Sequence, residues 1–64
     1  MTPGASPIDG GTRFAVCARE AAAVWLCLFD GDSERRVAMT CDGDWFVCDV
    51  AGVGPGQRYG YRAG

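Results

Sequence analysis

Three aromatic side chains are the residues best suited to binding chemistry in this sequence. Trp25 and Phe29 lie in the apolar run "AVWLCLFD", and Trp45 opens the run "WFVCDV". Alternate side chains of an extended strand point to opposite faces, so Trp25 and Phe29 lie opposite the aliphatic row of Leu26 and Leu28. By the same rule, Trp45 lies on the face opposite Phe46, Cys48 and Val50 of its own run. We therefore predict that all three rings stand on the face opposite the core.

An outward aromatic patch of this kind has two candidate partners. A flat indole fits the apolar CH face of a sugar ring, whose hydroxyls remain available for polar neighbours. Another protein domain also fits, because interface cores are enriched in Trp, Tyr and Phe. A third reading is plain core, in which the opposite sheet of the same domain covers the rings. The sequence therefore gives Trp25, Phe29 and Trp45 as carbohydrate-binding or domain-interface candidates.

Groups for catalysis and metal binding are scarce. The chain has no histidine, which excludes Ser-His and Cys-His nucleophile systems built from these residues alone. Its eight acidic residues fall almost entirely in turns or at strand ends, where turn formation and solvation explain them. The cysteines lack the C-x-x-C spacing typical of zinc sites, so we predict free thiols that act as small apolar fillers. We expect no catalytic residue, no cofactor and no metal site.

Length and composition limit which classes of protein the chain can belong to. A chain of 64 residues allows one domain, and it buries only about 60% of the surface of its unfolded form. Apolar residues make up 48%, too many for a disordered segment. Six basic against eight acidic residues argue against a nucleic-acid partner, and the longest apolar run is about half a membrane span. The N-terminus has no signal-peptide features, so we expect a cytoplasmic protein without a membrane partner.

Short strands separated by turns are the main structural signal. The first eleven residues hold two prolines and three glycines, and we predict an irregular lead-in over residues 1–11. Five apolar runs follow and predict strands: "TRFAVCA", "AVWLCLFD", "ERRVAMT", "WFVCDV" and "QRYGYR". This spacing is typical of an immunoglobulin-like β-sandwich, here over residues 12–64. Such a sandwich usually has about seven strands, so we expect the domain to be truncated at its C-terminus.

Three segments together carry a family resemblance: "PIDGGTRFAV", "AVWLCLFD" and "DVAGVGPGQRYGYR". From Pro7 to Arg62 the chain resembles the N-terminal module of bacterial glycogen-debranching enzymes of the isoamylase type. That module belongs to carbohydrate-binding module family 48, an early-set immunoglobulin-like sandwich. The resemblance implies a non-catalytic accessory module. In the parent enzyme, a (β/α)₈ barrel would follow and hydrolyse α-1,6-glucosidic branch links in glycogen.

The resemblance also implies two partners for the module, the catalytic barrel and an α-glucan such as glycogen or a maltooligosaccharide. The family commonly has a polar residue where Trp25 stands, so Trp25 and Trp45 are candidates from their facing and not from a matched motif. Two alternatives stay open at this point. The chain could be an independent α-glucan-binding module, or a small structural or interaction β-domain that binds no sugar.

Overall fold

The strands form two antiparallel sheets in a computed structural model that describes residues 3–54 and 56–64. Seven strands lie within these residues: β1 (Gly4–Ile8), β2 (Gly11–Cys17), β3 (Val24–Asp30), β4 (Ser33–Ala38), β5 (Thr40–Asp42), β6 (Trp45–Ala51) and β7 (Arg58–Ala63). Sheet A has the order β1-β2-β6-β5, and sheet B has the order β4-β3-β7. The prediction of an all-β sandwich is confirmed. In the described part of the chain, no helix is long and apolar enough to span a bilayer.

The core lies between the two sheets and follows the alternation of the strands. Leu26 and Leu28 of β3 point inward from sheet B, where Leu26 has an exposed fraction of 0%. Phe14 of β2 and Phe46 of β6 point inward from sheet A. The buried cluster comprises Phe14, Val24, Leu26, Leu28, Met39, Phe46 and Val53. The predicted division of β3 into an aliphatic inner row and an aromatic outer row therefore holds.

Two Asp-Gly turns form hairpins as the sequence predicts. Gly31 follows β3 with φ at 59°, and Gly43 lies between β5 and β6 with φ at 63°. Both values fall in the left-handed region, which a residue without Cβ enters at little cost. The turns therefore set the register of β3 with β4 and of β5 with β6.

Two strands lie where the sequence analysis does not place them. The prediction of an irregular lead-in over residues 1–11 is wrong for Gly4–Ile8, which pair with β2 as strand β1; residues 1 and 2 lie outside the described part. Small residues and Pro7 hide this strand from periodicity analysis, although proline is tolerated at a sheet edge. The run "ERRVAMT" is also divided, because the chain leaves sheet B after Ala38 and joins sheet A as β5.

The two long sides of the sandwich differ in how they are closed. On one side, which we call the closed side, the chain itself crosses between the sheets at Met39. The Met39 N–H donates to the Val24 carbonyl at 3.0 Å, and its side chain is buried. On the other side, which we call the open side, the edge strands are β1 and β7, and the segment between β6 and β7 passes here from sheet A to sheet B, with its Val53 carbonyl accepting a hydrogen bond from the Thr12 hydroxyl. Sheet A has four strands and sheet B three, so β1 extends past β7.

Candidate functional site

The strand register places the three predicted aromatic residues on two different outer faces. Trp25 and Phe29 lie on the outer face of sheet B, the surface that we call the sheet B face. Trp45 pairs with Cys17 and Asp42 on the outer face of sheet A, which we call the sheet A face. All three rings point away from the core. The structure does not bring them together, because the two faces lie on opposite sides of the sandwich.

Glycines lie beside both aromatic rings of the sheet B face. A Cβ built at Gly60 would lie 3.7 Å from Cε2 of Phe29, so this ring rests against the β7 backbone. A Cβ at Gly64 would lie only 2.8 Å from Cζ3 of Trp25, so the indole lies against the Gly64 backbone and would have to shift if this residue had a side chain. Both rings are half-buried by this contact. The buried Cys27 lies between them on the same face of β3.

Arginines surround the two rings of the sheet B face. Arg36 of β4 is held by Glu34, with 2.7 Å between its Nε and the Glu34 Oε2 atom. Arg58 and Arg62 of β7 stand opposite Phe29 and Trp25 in the register. Within the described residues neither of these two arginines forms an ion pair. The surface is therefore apolar at its centre and cationic at its rim.

A bidentate ion pair organises the polar side of the sheet A face. Arg13 donates from Nε to Oδ1 of Asp49 at 2.7 Å and from Nη2 to Oδ2 at 3.0 Å. The hydrogen bond from Arg13 and the charge of its guanidinium hold the pKa of Asp49 below its usual range. Both side chains are about half exposed, so the pair adds little to folding stability. It fixes a guanidinium and a carboxylate in one geometry at the surface.

A concavity of about 430 Å³ lies on the sheet A face beside this ion pair. Strand β5 is only three residues long, so among the described residues the Asp49 end of β6 is paired with β2 on one side and with no strand on the side of β5. The concavity is lined by Arg13, Thr40, Asp42, Val47, Cys48 and Asp49. Trp45 is not among these lining residues, but it lies two positions before Val47 on the same face and opposite Asp42 in the register. Carboxylate, hydroxyl and guanidinium groups beside an indole can hydrogen-bond and stack on a polyhydroxylated ring.

The sequence analysis does not identify the polar residues of this concavity as a group. The alternation of β6 alone places Trp45, Val47 and Asp49 on one face, and this alternation can be read from the sequence. The contribution of Arg13 and Thr40 depends on which strands are neighbours, and a single strand's periodicity does not carry that information. The pairing of β2 and β5 on either side of β6 brings these residues together.

The four cysteines are free thiols in different environments. Cys27 is buried and Cys48 is half-buried on the inner face of β6, so both fill space as predicted. Cys17 and Cys41 are exposed, which the filler prediction does not describe. Among the described residues, no group of three His, Cys, Asp or Glu side chains is arranged to hold a metal ion.

Comparison with known proteins decides the family of this sandwich. The sequence profile of carbohydrate-binding module 48, the isoamylase N-terminal domain, matches residues 3–64. The chain belongs to carbohydrate-binding module family 48. This family 48 module is 44% identical over 64 residues to the glycogen debranching enzyme of Yersinia pestis bv. Antiqua (strain Angola), an alignment that covers 95% of the module. It is 42% identical over 71 residues to the glycogen debranching enzyme of Serratia proteamaculans (strain 568), covering 97% of the module.

A solved structure supports the same assignment of the fold. The module superposes on a crystallised Salmonella typhimurium protein described as an alpha amylase with a TM-score of 0.81 and 34% sequence identity. The match covers 97% of the module and 10% of that protein. The module spans 10% of the Yersinia enzyme and 11% of the Serratia enzyme. It therefore corresponds to a small non-catalytic part of much longer relatives.

Proposed function

We propose that this family 48 module is the N-terminal accessory module of a cytoplasmic glycogen-debranching enzyme that hydrolyses α-1,6-glucosidic branch links. The module itself contributes no catalytic group. The observation that carries the proposal is the match of residues 3–64 to the isoamylase N-terminal domain, together with relatives named glycogen debranching enzyme. The direct test is the coding sequence beyond Gly64, which is expected to encode a (β/α)₈ barrel. A stop codon there without a barrel would refute this reading.

The sheet B face is the surface we assign to packing on that barrel. Its centre is aromatic and its rim carries Arg36, Arg58 and Arg62, and protein interfaces are enriched in Trp, Phe and Arg. Both rings lie against the backbone of a glycine in or next to β7, and neither lines the concavity of about 430 Å³. Covering Trp25 and Phe29 with another domain would remove the apolar area that sheet B exposes on this side.

Single-tryptophan variants test this assignment, since the chain has two tryptophans and they lie on opposite faces. Trp45→Phe leaves Trp25 as the reporter of the sheet B face, and Trp25→Phe leaves Trp45 as the reporter of the sheet A face. Acrylamide quenching is compared between the 64-residue chain and the longer polypeptide. We expect Trp25 to become protected in the longer polypeptide and Trp45 to stay accessible. Unchanged quenching of Trp25 would contradict packing through this face.

An α-glucan site on the sheet A face is a second proposed function, which the concavity beside Trp45 favours. An indole would stack on the apolar face of a glucose ring. Asp42, Thr40 and the fixed Arg13–Asp49 pair would hydrogen-bond its hydroxyls. Ligand sites in proteins are typically concave surfaces in which a few polar groups fix orientation. The sheet A face meets this description, and the flat sheet B face does not.

Titration with maltoheptaose tests the glucan site through the same two reporters. We expect the Trp45 emission of the Trp25→Phe variant to change on addition of sugar, and the Trp25 emission of Trp45→Phe to stay constant. Asp42→Asn is expected to weaken the response. Glu34→Gln provides a matched control, because it removes one carboxylate from the opposite face. A response from Trp25 alone would place any glucan on the sheet B face and refute this assignment.

A further inference from the structure

The sandwich leaves a gap beside β6, where strand β5 begins. Thr40, the first residue of β5, pairs with Val47 of β6. The residue before it belongs to the other sheet, because the Met39 N–H donates to the Val24 carbonyl of β3 at 3.0 Å. Among the described residues, Asp49 therefore has a strand partner in β2 and none on the side of β5. The crossing of the chain between the sheets, well inside the sequence, creates this gap.

The alternation of ladder bonds identifies the backbone groups that face the gap. The Gly52 N–H donates to the Gly10 carbonyl at 2.8 Å, and the Ala18 N–H donates to the Asp44 carbonyl at 3.1 Å. Both bonds continue the register of β2 with β6 at even-numbered positions on either side of β6. Alternate residues of an antiparallel strand bond to opposite neighbours. Asp49 therefore directs its N–H and C=O away from β2 and into the gap.

The side chain of Asp49 is engaged on the opposite side of β6. Its two carboxylate oxygens accept hydrogen bonds from Arg13 of β2 at 2.7 and 3.0 Å. The concavity of about 430 Å³ includes Cys48 in its lining, although the Cys48 side chain lies on the inner face of β6. The concavity therefore reaches the edge of β6 as well as its outer face. The free N–H and C=O of Asp49 lie at this edge.

A backbone N–H beside the C=O of the same extended residue is complementary to two neighbouring hydroxyl groups. The N–H donates to one hydroxyl oxygen, and the other hydroxyl donates to the C=O. An interior glucose residue of an α-1,4-linked glucan keeps free hydroxyls at C2, C3 and C6, because its C1 and C4 oxygens form the linkages. Only the hydroxyls at C2 and C3 are on adjacent carbons. The strand fixes its two backbone groups in advance, so their binding costs no side-chain rotamer freedom.

We propose that the main chain of Asp49 binds the adjacent hydroxyls at C2 and C3 of an interior glucose residue. The inference rests on the proposed glucan site of the sheet A face and names the part of the sugar that this site recognises. Backbone groups in a concave site fix the orientation of a ligand. The C6 hydroxyl lies across the ring from this contact, so its oxygen stays free. The site would therefore accept glucose residues that carry an α-1,6 branch.

Two derivatives of maltoheptaose test the contact, one methylated at every O2 and O3 and the other at every O6. Affinities are measured through Trp45 in the Trp25→Phe variant. We expect methylation at O2 and O3 to weaken binding roughly tenfold or more, because a site that hydrogen-bonds hydroxyls rejects analogues without them. Methylation at O6 should leave the affinity close to that of maltoheptaose. Unmodified maltoheptaose should also slow hydrogen exchange of the Asp49 amide.

Two substitutions at Asp49 separate its main chain from its side chain. Asp49→Ala and Asp49→Pro both remove the carboxylate and the ion pair with Arg13, but only proline removes the N–H. This N–H forms no ladder bond with β2, and proline is tolerated at such an edge position. We expect maltoheptaose to bind Asp49→Pro roughly fivefold more weakly than Asp49→Ala, the effect of one hydrogen bond. Equal affinities of two folded variants would overturn the contact.

The outcomes distinguish this inference from the glucan site on which it rests. If Trp45 does not respond to maltoheptaose, the glucan site and the inference are both wrong. If Trp45 responds but the two methylated sugars bind equally well, or the Asp49 amide exchanges equally fast with and without sugar, the glucan site stands and the main-chain contact is wrong. The sugars and the amide exchange decide the question even if Asp49→Pro does not fold.

Discussion

The closed and open sides of this sandwich hold the two sheets together by different means. On the closed side the chain crosses at Met39, so the connection is covalent and the buried side chain fills the corner. On the open side the segment between β6 and β7 also joins the sheets, and side chains add the Phe14–Tyr59 contact and the Tyr61 hydroxyl, which donates to the Ala15 carbonyl at 3.3 Å. The side chain at the crossing of the closed side is therefore buried, whereas Tyr59 on the open side has an exposed fraction of 38%.

The largest expected effect compares one truncation on each side. Met39→Ala deletes a buried side chain and leaves a cavity, which should cost about 2–5 kcal/mol in the free energy of unfolding. Tyr59→Ala removes a partly exposed ring and its edge-on contact with Phe14, a contact that contributes about 0.5–1.5 kcal/mol beyond area burial. We expect the Met39 variant to lose at least twice as much, measured by urea unfolding. Equal losses would show that the two sides contribute equally and would end the contrast.

The two variants are expected to differ visibly because the free energy of unfolding of such a small domain is low. A domain of this length has a total stability of only roughly 3–10 kcal/mol, by the usual value per residue. Met39→Ala is thus expected to leave a substantial unfolded fraction at room temperature, whereas Tyr59→Ala should remain folded. Near-ultraviolet circular dichroism of the two variants without denaturant would reveal this difference directly.

A smaller effect is expected from the hydrogen bond that anchors the segment before β7 on the open side. The buried Thr12 hydroxyl donates to the Val53 carbonyl at 2.6 Å. Thr12→Val keeps the shape and leaves that carbonyl without its donor, which should cost about 1–3 kcal/mol. Thr12→Ser is the control, because it keeps the hydroxyl and loses one methyl group worth about 0.8 kcal/mol. If valine were tolerated better than serine, the hydroxyl would not be what holds the open side at this point.

The link through Tyr61 should make the open side sensitive to alkaline pH. Burial raises the pKa of Tyr61, the neighbouring Tyr59 raises it further, and the bond to the Ala15 carbonyl acts in the opposite direction. The folded state therefore keeps its phenolic proton above pH 10, where the unfolded chain loses it. Stability from this group is fully present below about pH 10 and is lost as pH rises through the folded pKa. Unfolding curves between pH 9 and about 12 should show this loss, and Tyr61→Phe should reduce it. If the stability of the unaltered chain and of Tyr61→Phe depends on pH in the same way, Tyr61 does not cause the alkaline loss of stability.

Much of the fold is predictable from the sequence because the strong strands alternate clearly. The row of Val24, Leu26 and Leu28 identifies the core face of β3, and the two Asp-Gly pairs place its hairpin and that of β6. Strand β1 escapes prediction because backbone pairing with β2 stabilises it, and its small side chains carry no period. The sheet change after Ala38 escapes because the alternation of one strand does not reveal which sheet it joins.

The candidate site is predictable only in part, for the same reason. Parity correctly turns Trp25, Phe29 and Trp45 outward. Parity is defined within one strand, however, and it does not say whether two outward residues share a sheet. Assignment of β3 and β6 to different sheets separates Trp25 from Trp45 and yields two surfaces. Sheet order is thus the information that the sequence analysis lacks, and the functional assignment of each face depends on it.

The smallest expected effect comes from a pair that lies on neither side of the sandwich. Arg13 lowers the pKa of Asp49, so the folded state loses this proton more readily than the unfolded chain does. The stabilising contribution is present above the unfolded pKa of about 3.9 and is lost as pH falls through the folded pKa. Asp49→Asn should therefore flatten the acid limb of stability slightly, and salt at about 1 M should do the same in the unaltered chain. Because the pair is exposed on the sheet A face, neither change should alter the contrast between Met39→Ala and Tyr59→Ala. If Asp49→Asn changes the difference in unfolding free energy between Met39→Ala and Tyr59→Ala, the two sides are coupled through sheet A and do not contribute independently to stability.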